Sequence, residues 1–297
     1  MTVKRGVGSA LVAAVLTALL GSCDGQPSAP AVAPTQASTP ATAPSPAAAA
    51  IPERPSADAR TLASEIELVE EIIHDPTEPP DRVKAAGELQ QLAYRKLARS
   101  PSIEDRVTAL LSPRARRSAN AAVTGIRALS VIVPAQEEFP RDWRIESPPP
   151  AERLLGHYRE AERRYGVPWG YLAAIHLVET RMSRIVGPSY AGAQGPMQFI
   201  PSTWEAYGEG DIHDTRDAIL AAARLLVANG APGNMDNALY RYNPSWKYVE
   251  GIHAHARHML QDPRAFHGYH AWRVFYRHVN GDFILLEGYP TVRPEPA

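Results

Sequence analysis

From residue 56 to about residue 261 the apolar residues of this chain recur every three or four positions, and prolines cut that pattern into short pieces. A period near 3.6 places such residues on one face of a helix, so the chain can bury them only as a bundle of short helices. Leu62, Ile66, Val69 and Ile73 are spaced four, three and four, and Pro76, Pro79 and Pro80 end that run. The spacing predicts further helices from Asp81 to about Arg99, from Ile103 to Leu111, and from Arg114 to about Val131. A polar, proline-rich connector, residues 135–149, joins this helical module (residues 56–134) to a second helical region over residues 150–262. There the pattern predicts one helix from Pro150 to about Arg164 and another from Pro168 to about Met182, since proline is favoured in a first turn.

After Gln261 the period changes from helical to extended. Trp272–Val279 and Asp282–Leu286 are β-rich and flank Asn280-Gly281, two residues that tolerate positive φ and so mark a hairpin turn. A lone hairpin is marginal in water and has to pack on the helices, with Trp272, Phe275 and Phe283 as the contacts. Residues 263–297 therefore read as a β-hairpin extension with a loose tail from Tyr289. The fold class expected is mostly α: a helical domain preceded by a helical module and followed by a hairpin.

The front of the chain is of another kind. Lys4 and Arg5 precede an uncharged apolar run from Val7 to Leu20, shorter than the roughly 20 residues of a membrane span, so residues 1–22 read as a secretory signal. Its end, Leu20-Gly21-Ser22-Cys23, resembles the bacterial lipobox, and that resemblance implies a lipid anchor in the membrane on Cys23. Asp24 to Ala50 is mostly Ala and Pro with one β-branched aliphatic residue and no aromatic, and 28 prolines in the chain fit such a linker. Residues 23–55 are accordingly a tether, reaching roughly 80 to 100 Å if extended. A single cysteine excludes an internal disulfide framework, and a formal charge of −1 gives no footprint for nucleic acid.

Chemistry is concentrated in the second helical region. Leu172, Ile175, Glu179 and Met182 are spaced three, four and three, an apolar stripe with a carboxylate in it. Glu179 is expected to point inward, and burial would raise its pKa toward what a general acid needs. A buried structural glutamate fits the stripe equally well. Thirteen residues on, Gly192 opens Gly-Ala-Gln-Gly-Pro-Met-Gln-Phe-Ile-Pro-Ser-Thr-Trp, in which Gln194 and Gln198 offer amides to sugar hydroxyl and N-acetyl groups. Ser202 or Thr203 is expected to cap the next helix.

These residues resemble the lytic transglycosylase family, with its goose-lysozyme-like SLT domain. The matches are Tyr165-Gly166-Val167-Pro168, then Ala173 to Thr180, the Gly-Ala-Gln-Gly-Pro-Met-Gln stretch, Asp217 to Ala223, and Ala238-Leu239-Tyr240-Arg241-Tyr242-Asn243. They run in order from about Ala151 to Leu260; Thr180 stands where the family usually has Ser, and Met182 where it often has Phe. The resemblance implies cleavage of the β-1,4 bond between N-acetylmuramic acid and N-acetylglucosamine in peptidoglycan, with Glu179 as the single catalytic acid/base. It implies saccharide contacts from Gln198 and Tyr242, and a cleft shaped by Gln194, Met197 and Asn243. It implies no cofactor and no metal. The partners would be peptidoglycan strands, with cell-wall or division proteins open.

Two other readings of the same residues stand beside it. A muramidase using water would want a second carboxylate, for which Asp211 and Asp214 are candidates, although Asp214 or Thr215 better serves as a helix cap. A wall-binding lipoprotein without turnover would share the motifs. His253, His255 and His258 lack a nearby carboxylate to complete a zinc pattern and read as surface or interface histidines. Arg114, Arg116 and Arg117 read as a solvated helix face.

Overall fold

The structure is a computed structural model that describes residues 49–297. The expected signal, Cys23 and the tether up to residue 48 lie outside the described residues. The described chain is mostly helical, with a two-stranded sheet in its middle and a three-stranded sheet near its C-terminus.

Four helices come first: α1 (Ala59–His74), α2 (Pro80–Arg99), α3 (Pro101–Thr108) and α4 (Pro113–Ile132). Proline opens α2, α3 and α4, where its missing N–H has no intrahelical partner to lose. Asp58 caps α1, its carboxylate accepting from Thr61 N at 2.9 Å. The last tether residues lie on this fold: Lys96 donates to the carbonyl of Pro55 at 3.5 Å and to that of the following Ser56 at 2.6 Å, and Ile51 packs beside Val69 and Leu89.

After β1 (Arg144–Ile145) come α5 (Ala151–Tyr165) and α6 (Trp169–Thr180), then β2 (Ile185–Val186), which pairs antiparallel with β1. Five further helices follow: α7 (Pro201–Tyr207), α8 (Thr215–Ala228), α9 (Met235–Tyr242), α10 (Trp246–Gln261) and α11 (Ala265–His270). Gly166, at φ 73°, ends α5 in the left-handed conformation that glycine adopts without a Cβ clash. Asp214 caps α8, as expected, accepting from Asp217 N at 2.9 Å. The expected cap on α7 is absent: Ile200 holds that position and no side chain bonds the first turn.

One hydrophobic core runs through both helical regions, from Leu62 of α1 and Ala119 of α4 to Leu172 of α6, Leu220 of α8 and Ile252 of α10. α10 lies between α4 and α6, and small residues let it close on α4. A Cβ on Gly125 would come within 2.4 Å of the His255 ring, and one on Gly251 within 2.7 Å of Leu129. Polar groups buried at this seam satisfy one another. The fully buried Glu70 accepts from Gln90, Tyr94 and Ser118 at 2.7, 2.6 and 2.8 Å, and the Ser118 hydroxyl bonds His258 at 3.2 Å. His255 and His258 are thus buried against α4 and α11, not on the surface.

β3 (Val274–His278) and β4 (Gly281–Leu285) form the hairpin, with His278 opposite Gly281, so Val279 and Asn280 make the turn. The turn sits one residue before the expected Asn280-Gly281 pair, and Gly281, at φ 121°, begins β4 instead. Residues beyond Tyr289 are not loose: β5 (Glu295–Pro296) pairs with β4, and the buried Tyr289 donates to the Pro140 carbonyl at 2.8 Å. The hairpin docks on α2. Gln91 exchanges two hydrogen bonds with the Arg273 backbone at 3.0 and 2.8 Å, and Trp272 donates to Gln90 at 3.1 Å. Phe275 lies under the Arg95 guanidinium, and Phe283 meets Phe139 edge-on.

Candidate active site

α6 is apolar on every side, with its residues from Trp169 to Leu177 all buried, so its last turn carries any polar group into the middle of the fold. Glu179 sits in that last turn. The helix then ends abruptly: Arg181, Met182 and Ser183 all take positive φ, at 54°, 58° and 69°. Left-handed backbone costs a non-glycine residue on the order of 1 kcal/mol or more, so three in a row need support. Met182 supplies part of it by inserting a fully buried side chain into the core. The rest is polar: His176 bonds Tyr158 Oη and Ser183 Oγ, both at 2.8 Å, and Ser183 N donates to Thr180 Oγ1 at 3.2 Å. Burial pushes the His176 pKa down to about 3, so this imidazole stays neutral, donating from one nitrogen and accepting at the other.

This turn leaves the Glu179 carboxyl half-buried, its Oε1 accepting from the Tyr248 hydroxyl at 2.7 Å. Burial raises its pKa to about 7, and the Tyr248 hydrogen bond offsets part of that rise. No neighbouring charge contributes to the shift. The Tyr242 and Tyr248 rings lie parallel, 6.4 Å apart. Both phenols are raised well above the ordinary range, by burial first and then by the charge Glu179 can carry.

The loop after β2 forms the adjoining wall. Gln194 and Phe199 exchange backbone hydrogen bonds at 2.9 Å, closing a tight loop over Gly195 to Gln198. Gly195 takes φ 72°, and a Cβ there would come within 2.0 Å of the Ile212 carbonyl, so only glycine fits. Thr180 donates to the Pro196 carbonyl at 2.6 Å, tying the loop to the helix end that carries Glu179.

Among the residues expected to contact the saccharide or shape the cleft, Tyr242 and the Met197 backbone meet beside Glu179. The Tyr242 hydroxyl donates to the Met197 carbonyl at 2.7 Å, and the Met197 side chain is fully buried in the core. Gln198, at φ 51°, donates its amide to the carbonyls of Gly195 and Gly187 at 2.9 and 3.4 Å. Asn243 ends α9 with its backbone N–H on Leu239. Gln194 lines a groove of about 750 Å³ together with Arg144, Ser183, Pro196 and His213, and Glu179 is not on that groove's wall. Asp211 and Asp214 accept from the backbone of His213 and Asp217, and neither perturbs Glu179. Among the described residues no group of three or more His, Cys, Asp and Glu side chains is placed to hold a metal ion.

Three contributors escape a reading of the sequence. Tyr248 reads as an ordinary core aromatic in a helical stripe, and nothing local marks it as the partner of a residue 69 positions earlier. His176 and Tyr158 likewise read as core. No family model, no curated protein and no solved structure matches this chain.

Proposed function

We propose that the chain is a lytic transglycosylase of peptidoglycan with a lysozyme-like helical domain. The observation that carries the proposal is Glu179: a lone half-buried carboxyl, held by Tyr248, with a pKa of about 7 set by burial and no second acid acting on it. A carboxyl that is near half-protonated at neutral pH can both give and take a proton in one cycle. Glu179 would protonate the oxygen of the β-1,4 bond between N-acetylmuramic acid and N-acetylglucosamine. The substrate's own 2-acetamido group would relieve the oxocarbenium-like centre. The ionised Glu179 would then take the proton of the muramyl 6-hydroxyl as that oxygen closes a 1,6-anhydro ring. The bond breaks without water, and Glu179 regains its proton, so one carboxylate suffices where ordinary glycosidases need two.

Thr180 and Gly195 would keep the neighbouring loop in register with Glu179, the first through the Pro196 carbonyl and the second through its close approach to Ile212. Export through a signal over residues 1–22 and acylation of Cys23 would hold the enzyme at the outer face of the cytoplasmic membrane, with the tether reaching the wall. The test is mass spectrometry of muropeptides released from purified peptidoglycan by the full-length protein and by Glu179→Gln. Products with 1,6-anhydro-muramyl ends that vanish in the variant are expected. Reducing muramyl ends would make the enzyme a hydrolase, and no products from the unmodified protein would leave wall binding alone.

A further inference from the structure

Away from Glu179, a cavity of about 470 Å³ opens between α2, α4, the end of α6 and the β3–β4 hairpin. Five arginines line it, Arg95, Arg99, Arg127, Arg181 and Arg277, against one carboxylate, Asp282. Two of the five are engaged in closing helices. Arg127 donates to the carbonyls of Leu97 and Ala98 at 3.2 and 2.9 Å and pairs with Glu104, while Arg277 donates to Ser130 and Val133 at the end of α4.

The remaining three guanidiniums, Arg95, Arg99 and Arg181, are set against the single carboxylate of Asp282, an excess of two positive charges. Asp282 pairs with Arg95 at 2.5 Å and with Arg99. Arg181 has no ion pair among the described residues; its one hydrogen bond runs to the Leu177 carbonyl at 2.5 Å. The Nε–H groups of Arg95 and Arg181 are buried and have no hydrogen-bond partner among the described residues. Burial lowers the pKa of each to about 10, which leaves both charged at neutral pH. Buried cations and buried donors without partners are both costly, and they persist where another group satisfies them. His255 also faces the cavity and is held neutral by burial, so it adds no charge. Ile126, Leu129 and Phe275 add apolar lining, with the Arg95 guanidinium 3.9 Å from the centre of the Phe275 ring.

We propose that this cavity is a binding site for a compact anion carrying two or more phosphate or carboxylate groups. Guanidinium forks match the paired oxygens of both groups, and Asp282 shows how Arg95 and Arg99 converge on one such oxygen. The proposal is independent of the reaction at Glu179.

Isothermal titration of the full-length protein with pyrophosphate and, separately, with citrate at low salt tests it. Saturable one-to-one binding of at least one anion is expected, weakened about tenfold or more in Arg99→Gln and Arg181→Gln. Arg141→Gln, at an exposed position outside the cavity, should bind as the unmodified protein does. Preference for pyrophosphate would point to a phosphate ligand and preference for citrate to a carboxylate; either supports the site. Arg99 is more than half exposed, so its variant decides the matter if Arg181→Gln fails to fold. Absence of saturable binding of both anions, equal affinity in Arg99→Gln, or the same heat with chloride at matched ionic strength would overturn the proposal.

Discussion

Replacing Glu179 by glutamine should stabilise the protein, and only above the pH at which the carboxyl would ionise if exposed. The side chain is half-buried with one hydrogen bond, and burial lifts its pKa from an ordinary 4.5 to about 7. Between those values the folded state binds a proton that the unfolded state has lost. Stability linked to this group is therefore fully present below pH 4.5, declines as pH rises, and is gone above about 7. At about 1.36 kcal/mol for each unit, the rise amounts to about 3 kcal/mol. Glutamine has the size of the neutral acid, still accepts from Tyr248, and carries no such penalty. Thermal or urea unfolding of both proteins at pH 4.5 and pH 8 gives the difference directly, because every other titrating group is common to them. Near-equal stability at pH 4.5 and a variant more stable by about 3 kcal/mol at pH 8 is expected, roughly 6 to 12 °C in Tm for a body of this size. A stability difference that does not change with pH would refute the argument that burial holds this carboxyl near neutrality.

Three further outcomes follow from the geometry. Tyr248→Phe removes the hydrogen bond that holds the Glu179 pKa down, so the alkaline limb of the cleavage rate should move to higher pH, read from a pH–rate profile. Glu70→Ala strips the acceptor from Gln90, Tyr94 and Ser118 inside the core and should cost about 3 kcal/mol or more, measured by urea unfolding. Gly125→Ala would drive a methyl group into the His255 ring; calorimetry should show a loss of about 1 to 3 kcal/mol even though alanine is the better helix former.

Much of the helical frame is legible in the sequence because prolines and capping side chains write its boundaries locally. Pro80, Pro101 and Pro113 open helices, and Asp214 caps another, each through groups within a turn of itself. Glu179 is found by a less secure route. The stripe of Leu172, Ile175 and Met182 implies one buried face, yet α6 is buried all round, so the inward position of Glu179 comes from the whole helix lying at the centre. The hairpin shows the limit of a dipeptide signal. Asn280-Gly281 locates the turn, but the pairing of His278 with Gly281 moves it back by one residue. What stays hidden depends on distant segments meeting: Tyr248 with Glu179, His258 with Ser118, and Arg95 with Asp282, contacts between residues 69, 140 and 187 positions apart. The bonds from the Gln198 amide nitrogen to the carbonyls of Gly187 and Gly195 are hidden for a related reason, since they depend on how the loop closes.

The lodging of α10 between α4 and α6 has a consequence for how the molecule comes apart. A protease cut within residues 135–149 would break the covalent link between the two helical regions without separating them. The fragments would still share the seam of Gly125 against His255 and the Gln91 bonds to the hairpin, and would travel together through a sizing column. Residues 151–260 expressed alone would bare the α10 face that meets α4, with His255 and His258 turned to water. The stretch that carries Glu179 is not a cassette that another protein could borrow; it is one side of a joint made by the whole described chain.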